Sequence, residues 1–244
     1  MTEKTWHPLS FCNPYTSKQY ETFRQAYIYA VRRKYTEPEA LEFFNARWPE
    51  IRAAAHLCDR ELSIWRHLND KTKWNHRKDG EPSESETERA RIRSLRANRF
   101  RNVRRAATSS GGGRQFIEKH PEQVDVLLYG ALRAGIIEPI VGRDDYSKEI
   151  AQLRQITPDQ LKVAVAAASE KGSALVDDKA RPSTAPVNIY VQFLIEVLFS
   201  HVTSTPSGPA AVWTFEAALA PFQLSLTESG VRRLVRRAGS ARRQ

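Results

Sequence analysis

The chain lacks the apolar run that a bilayer demands. Its most apolar stretch, Val187 to Val202, is 16 residues long and is interrupted by Asn188, Gln192, Glu196 and His201, which is too short and too polar to span a hydrocarbon core. The beginning, MTEKTWHPLSF, has no hydrophobic block of the secretory type. Cysteine is scarce: Cys12 and Cys58 are the only two, which argues for reduced thiols rather than a disulfide framework. These absences predict an intracellular protein of the cytoplasm, nucleoid or nucleus with no membrane partner. Nucleotide and hydrolase signatures are missing too. Gly111 to Gly113 is not followed by Gly-Lys-Ser/Thr, so no phosphate-binding P-loop is present, and no serine nucleophile elbow occurs. No cofactor motif is found. There is no fixed-period repeat and no sustained strand alternation; Pro139 would confine any strand over Ile136 to Val141 to a sheet edge.

The most telling absence is local. From Arg89 to Ala106 the chain holds no acidic residue, while eight of the 18 positions are arginine: Arg89, Arg91, Arg93, Arg96, Arg99, Arg101, Arg104 and Arg105. Residues 71–115 carry 13 Lys/Arg against 5 Asp/Glu, and the last 14 residues carry 6 arginines and no acid. The net charge is +10; with both stretches set aside, the remaining body is mildly acidic. A mildly acidic body with two concentrated cationic segments is the footprint of a polyanion binder, most often of nucleic acid. The acidic residues Glu81, Glu84, Glu86 and Glu88 precede the run, where they suit a helix N-terminus and can screen the arginines until a stronger polyanion arrives.

Hydrophobic spacing predicts a mainly α-helical fold. Thr16 and Gln19 stand at capping-box spacing ahead of Tyr20, Phe23, Tyr27 and Val31 on one helical face. Thr36 to Glu39 repeats the start signal before Leu41, Phe44 and Trp48; Pro49 is expected to break that helix, leaving Glu50–Leu57 and Arg60–Asn69 as separate elements. Thr108 to Gly113 reads as a flexible joint closing a thinly amphipathic segment that carries Ile92, Leu95 and Val103. Beyond it, helices are expected over Pro121–Ala134, ended by Gly135, and from Thr157 to Ala168, stopped by Gly172. A nearly all-apolar helix within 187–202 should be central to the C-terminal half, completed by helices over Trp213–Ala220 and Thr227–Arg237. The predicted organisation is an N-terminal helical bundle over residues 1–75, an Arg-rich connector over 76–114, a C-terminal helical domain over 115–238 and a basic tail over 239–244.

Two patterns bear on DNA reading. Ala53, Ala54, Leu57, Ile64, Trp65, Arg66 and Leu68 within AAAHLCDRELSIWRHL resemble the helix-turn-helix of bacterial Fis-type DNA-binding domains, although Cys58 stands where a turn glycine is usual and Asp59 where an aliphatic residue is usual. The resemblance covers about 16 residues and implies that Arg60, Ser63, Arg66 and His67 face the major groove or its phosphates. An ordinary packed helix pair is the competing reading. Near the end of the chain, Ala220, Leu224, Leu226, Val231 and Leu234 also fall at helix-turn-helix positions, with Thr227 as a cap and Arg232, Arg233, Arg236 and Arg237 on the last helix. A cationic terminal helix that grips phosphates without reading bases explains those residues equally well. Trp74, Phe100 and Phe116 flank or interrupt the basic region and could stack on unpaired bases.

Catalytic constellations are weaker. Asp144, Asp145 and Glu149 have the residue types of a Mg²⁺-dependent nuclease, but a solvated turn explains them as well. His56 and Cys58 with His7 and Cys12 match no familiar zinc spacing. The expected function is therefore non-enzymatic binding of DNA or RNA, first as a DNA-binding regulator or accessory factor. The alternative is a viral nucleocapsid or coat-type protein that packages RNA, with self-association into homo-oligomers as its accompanying expectation. A metal-dependent nuclease and a scaffold for an acidic protein partner complete the set.

Overall fold

The computed structural model describes residues 14–69, 87, 90, 94, 99–138, 140, 146–175, 185–200, 202, 208–222, 224 and 227–241. Among them are ten α-helices and no strand. In chain order they are α1 (Ser17–Val31), α2 (Glu37–Asn69), α3 (Arg99–Thr108), α4 (Gly113–Lys119), α5 (Val124–Arg133), α6 (Ser147–Leu153), α7 (Pro158–Leu175), α8 (Ala185–Phe199), α9 (Pro209–Leu219) and α10 (Glu228–Ala241). No helix among the described residues is long and apolar enough to cross a membrane.

The start signals in the sequence operate as read. Thr16 Oγ1 accepts from Gln19 N (3.2 Å) while Gln19 Oε1 accepts from Thr16 N (2.9 Å), closing the capping box of α1. Thr157 and Gln160 repeat it at α7. At α2, Glu39 Oε2 accepts from the amide and hydroxyl of Thr36; the Thr36 hydroxyl, then its amide, hold the Glu39 carboxyl below its ordinary pKa. Gly135 takes the left-handed φ of 62° just past α5, as a helix-ending glycine does.

Pro49 does not break its helix. Residues 37–69 form one helix of 33 residues with Pro49 inside it, although proline gives up the bond to the carbonyl four residues earlier and costs about 3 kcal/mol in a helix interior. Packing on both sides of the proline outweighs that cost. Phe44, Trp48, Ile51, Arg52, Ala53, Ala54 and Ala55 are all buried. Trp48 sits in an aromatic cluster with Tyr15, Tyr20, Phe23 and Phe44, ring centroids 4.6 Å apart for Tyr20–Trp48 and 5.2 Å for Phe23–Phe44. Gly172 likewise lies within α7, and Gly239 within α10. Ile136 to Glu138 is turn and irregular chain rather than strand.

The sequence pattern divides the chain on either side of the arginine segment, yet the buried residues form one cluster from Tyr15 to Val235. Its tightest seam joins α5 to α7. A Cβ on Gly130 would lie 2.0 Å from the Ala164 carbonyl oxygen and 2.8 Å from the Ala168 Cβ, so glycine is what permits the approach. Gly113 is a second such point, where a Cβ would lie 1.7 Å from the Leu153 carbonyl oxygen. Its amide donates to Ile156 O (3.0 Å), and the preceding Gly112 has φ 128°. Of the expected flexible joint over Thr108 to Gly113, Thr108, Ser109 and Gly111 are exposed, while Gly112 and Gly113 form a buried, close-packed junction.

Polar bolts cross the core. Tyr15 Oη donates to Ala218 O (2.7 Å). That commits its proton, so the 2.7 Å contact with Tyr190 Oη is donated by Tyr190. Arg133 on α5 pairs with Glu50 on α2 and reaches Glu196 on α8 at 3.8 Å.

Candidate nucleic-acid interface

The arginine segment enters the described structure as α3. Val103, Ala106, Ala107 and Ser110 recur at helical spacing and are buried, and α3 packs against α7. The opposite side carries Arg101, Arg104 and Arg105, all exposed, on a helix without a carboxylate. Arg104 Nε donates to Ser169 Oγ (3.1 Å), which ties that side chain to α7. Arg99 lies in the helix backbone; its side chain, and Arg89, Arg91, Arg93 and Arg96, lie outside the described residues, as do Trp74 and the Phe100 side chain. Phe116 is fully buried and is not available for base stacking.

The first DNA-reading pattern is overturned. Residues 53 to 68 lie within the continuous α2, with no turn at Cys58 and Asp59. Without a turn glycine, and with Leu57, Cys58, Glu61 and Leu62 buried along one helix, nothing reverses the chain there. Arg60 does not face a groove: its Nη1 lies 2.7 Å from Asp125 Oδ2 and 2.9 Å from Glu122 O, clamping α2 to α5. Ser63 is exposed, and the side chains of Trp65, Arg66 and His67 lie outside the described residues.

The C-terminal pattern keeps its last helix, but the helix expected before it, holding Ala220 and Leu224, is not there: α9 ends at Leu219 and Leu224 lies outside any helix. α9 and α10 pack together, joined by a 3₁₀ turn over Ala220–Phe222 that takes up Pro221 outside the α-helix proper. Thr227 Oγ1 accepts from Gly230 N (3.2 Å), capping α10 as expected. Val231 and Val235 face inward, Arg233 and Arg236 are exposed, and Arg232 pairs with Glu228 one turn away on the same helix. The Arg237 side chain lies outside the described residues. The cationic groups therefore rest on separate seats: Arg60 on the α2–α5 contact, α3 on α7, and α10 on α8 and α9.

One more cationic group was not singled out in the sequence. Arg32, Arg33 and Lys34 follow one another at the end of α1 and are all exposed. The signal was three consecutive cations, overshadowed by the denser run at 89–105.

The nuclease constellation loses a member. Glu149 is fully buried and pairs with Arg52 (3.1 Å), whose guanidinium carbon lies 4.1 Å from the Tyr146 ring centroid. A carboxylate so committed is not an open metal ligand. Asp144 and Asp145 lie outside the described residues, and no group of three potential metal ligands occurs among the described ones. Cys58 is buried beside the Tyr15–Tyr190 pair, whose hydroxyls burial pushes well above the ordinary tyrosine pKa. His7 and Cys12, the other members of the zinc arrangement, are not described.

Comparison of the chain with protein-family models, with curated proteins and with solved structures finds no match. What defines the protein is its mainly α-helical fold.

Proposed function

We propose that this protein binds nucleic acid without catalysing a reaction, gripping phosphates through its arginine segment. The observation that carries the reading is α3, a helix seated by Val103, Ala106 and Ala107 that turns Arg101, Arg104 and Arg105 outward with no carboxylate of its own. Phosphate contacts supply most of the sequence-independent affinity of such proteins. Loss of the groove-facing role of Arg60 removes the main support for a sequence-reading regulator. It favours the alternative, a coating or packaging protein with little base preference.

Salt dependence tests it. Each arginine–phosphate contact releases counterion, so log affinity falls with log salt at about −0.9 per contact on duplex DNA and about −0.7 on single strands. Replacing Arg101, Arg104 and Arg105 together with glutamine should flatten the slope by about 1–3 units in a folded protein. An unchanged slope would overturn the reading. Sequencing the nucleic acid that co-purifies with the protein separates the two roles: bulk unselected RNA indicates packaging, and one enriched duplex motif indicates a regulator.

A further inference from the structure

The inward positions of α1 are Phe23, Ala26, Tyr27 and Val31, and α9 turns Val212, Phe215, Ala218 and Leu219 inward. Tyr29 and Trp213 fall on the opposite sides of these helices, 46% and 41% exposed, and are two of the three large apolar residues so exposed among the described ones. Since α1 packs along α9, the two rings meet in the open, centroids 6.0 Å apart and planes at 71°. The Arg32 guanidinium carbon lies 3.4 Å from the Tyr29 ring centroid, which places it on the ring face. Arg33 and Lys34 follow directly and are exposed. The acidic residue of α9 is Glu216, partly buried one turn from Trp213, and Glu39 of the following helix is held by Thr36.

We infer that Tyr29, Trp213 and Arg32 form a stacking platform for an unpaired base of single-stranded nucleic acid, with Arg33 and Lys34 holding the adjoining phosphates. Two exposed aromatic rings with a guanidinium plane followed directly by two further cations are the chemistry that receives a splayed-out base. Bases inside a duplex are stacked on each other and are not offered to such a surface. The inference rests on the nucleic-acid reading above and narrows it to single strands.

The test uses the full chain and three fluorescent ligands: a short oligothymidylate, an abasic oligomer of the same length, and a duplex of arbitrary sequence. The wild-type protein should bind oligothymidylate more tightly than the abasic oligomer. Trp213→Ala should weaken oligothymidylate about tenfold, toward the abasic level, as expected for loss of one base–aromatic stack. It should leave the duplex and abasic affinities unchanged, and Trp213→Phe should retain most of the binding. Because Trp213 is a surface residue, thermal unfolding of Trp213→Ala should match the wild type. Unchanged oligothymidylate affinity in Trp213→Ala, or equal losses on all three ligands, would overturn the platform. Wild-type protein that binds duplex with a steep salt slope, but binds oligothymidylate no better than the abasic oligomer, would overturn the platform alone and leave the aromatic pair to a protein partner. No binding to any of the three would overturn the nucleic-acid reading and the platform with it.

Discussion

Arg52 of α2 and Glu149 of α6 form an ion pair with no exposed side-chain surface on either partner, Nη2 to Oε1 3.1 Å. Glu149 Oε1 also accepts from Ile140 N (3.3 Å), and Tyr146 supplies a ring face to the guanidinium. The pair bolts the long helix to a segment almost a hundred residues later in the chain. Removing one partner leaves an uncompensated charge in the core. Arg52→Met or Glu149→Leu alone should cost about 3–5 kcal/mol in urea unfolding, and the double replacement should recover most of the loss. A double variant as unstable as the sum of the singles would show that the pair contributes more than mutual neutralisation.

Arg60 distinguishes an internal clamp from a DNA contact. Its partner Asp125 has a side chain only 1% exposed, so Arg60→Ala should destabilise the fold on the order of 3 kcal/mol by removing the cation that faces this buried carboxylate. Its effect on nucleic-acid binding, measured well below the melting temperature, should be small and equal on all sequences. A stable Arg60→Ala variant with altered sequence preference would return the residue to a recognition role.

Neither the α5–α7 seam at Gly130 nor the α4–α6 contact at Gly113 should tolerate a methyl group. Gly130→Ala places a Cβ against the Ala164 carbonyl, and Gly113→Ala places one against Leu153. Each should lower stability by about 1–3 kcal/mol, although alanine is the better helix former. A gain in melting temperature at either site would mean that the helices shift apart without cost.

Alkaline pH should reveal the buried tyrosines. Burial, the largest cause in each case, raises the hydroxyl pKa of Tyr15, Tyr27, Tyr129, Tyr146 and Tyr190 above the ordinary 10.0. A raised folded-state pKa gives stability that is fully present below about pH 10, the unfolded value, and is lost as pH rises above it. Ultraviolet titration should show these five hydroxyls ionising together with the unfolding transition. Their ionisation in a protein that remains folded would contradict the burial of these rings.

Local chemistry made much of this fold legible. The capping box at Thr16, the helix start at Thr157, the glycine stop at Gly135 and the apolar helix around Tyr190 and Leu194 are short-range signals that survive in the folded chain. Pro49 and Gly172 misled because propensity is a weak prior where packing is dense; Trp48, Ile51 and Arg52 decide the first case from distant parts of the chain. By propensity alone Gly130 is a weak point in a helix, and its role is set by Ala164, which lies across it. The same limit applies to the surface. Arg101, Arg104 and Arg105 are visible in any reading of the charge pattern, whereas the fate of Arg60 depends on Asp125 and the pairing of Tyr29 with Trp213 joins residues 184 positions apart. No periodicity reports such meetings.

The junction at Gly112 and Gly113 bears on how an anion would meet the arginines. The end of α3 leads through Ser110 and Gly111 into an amide bonded to Ile156 O, at the turn where α7 begins, and Val103 and Ala107 seat the helix on α7 itself. Arg101, Arg104 and Arg105 thus stand on a helix that is packed into the fold. The backbone entropy of ordering them is lost when the chain folds, before any ligand arrives, and a preorganised surface loses less on association than a segment that must order on contact. Binding through these three residues should therefore lack the large heat-capacity signature of coupled folding.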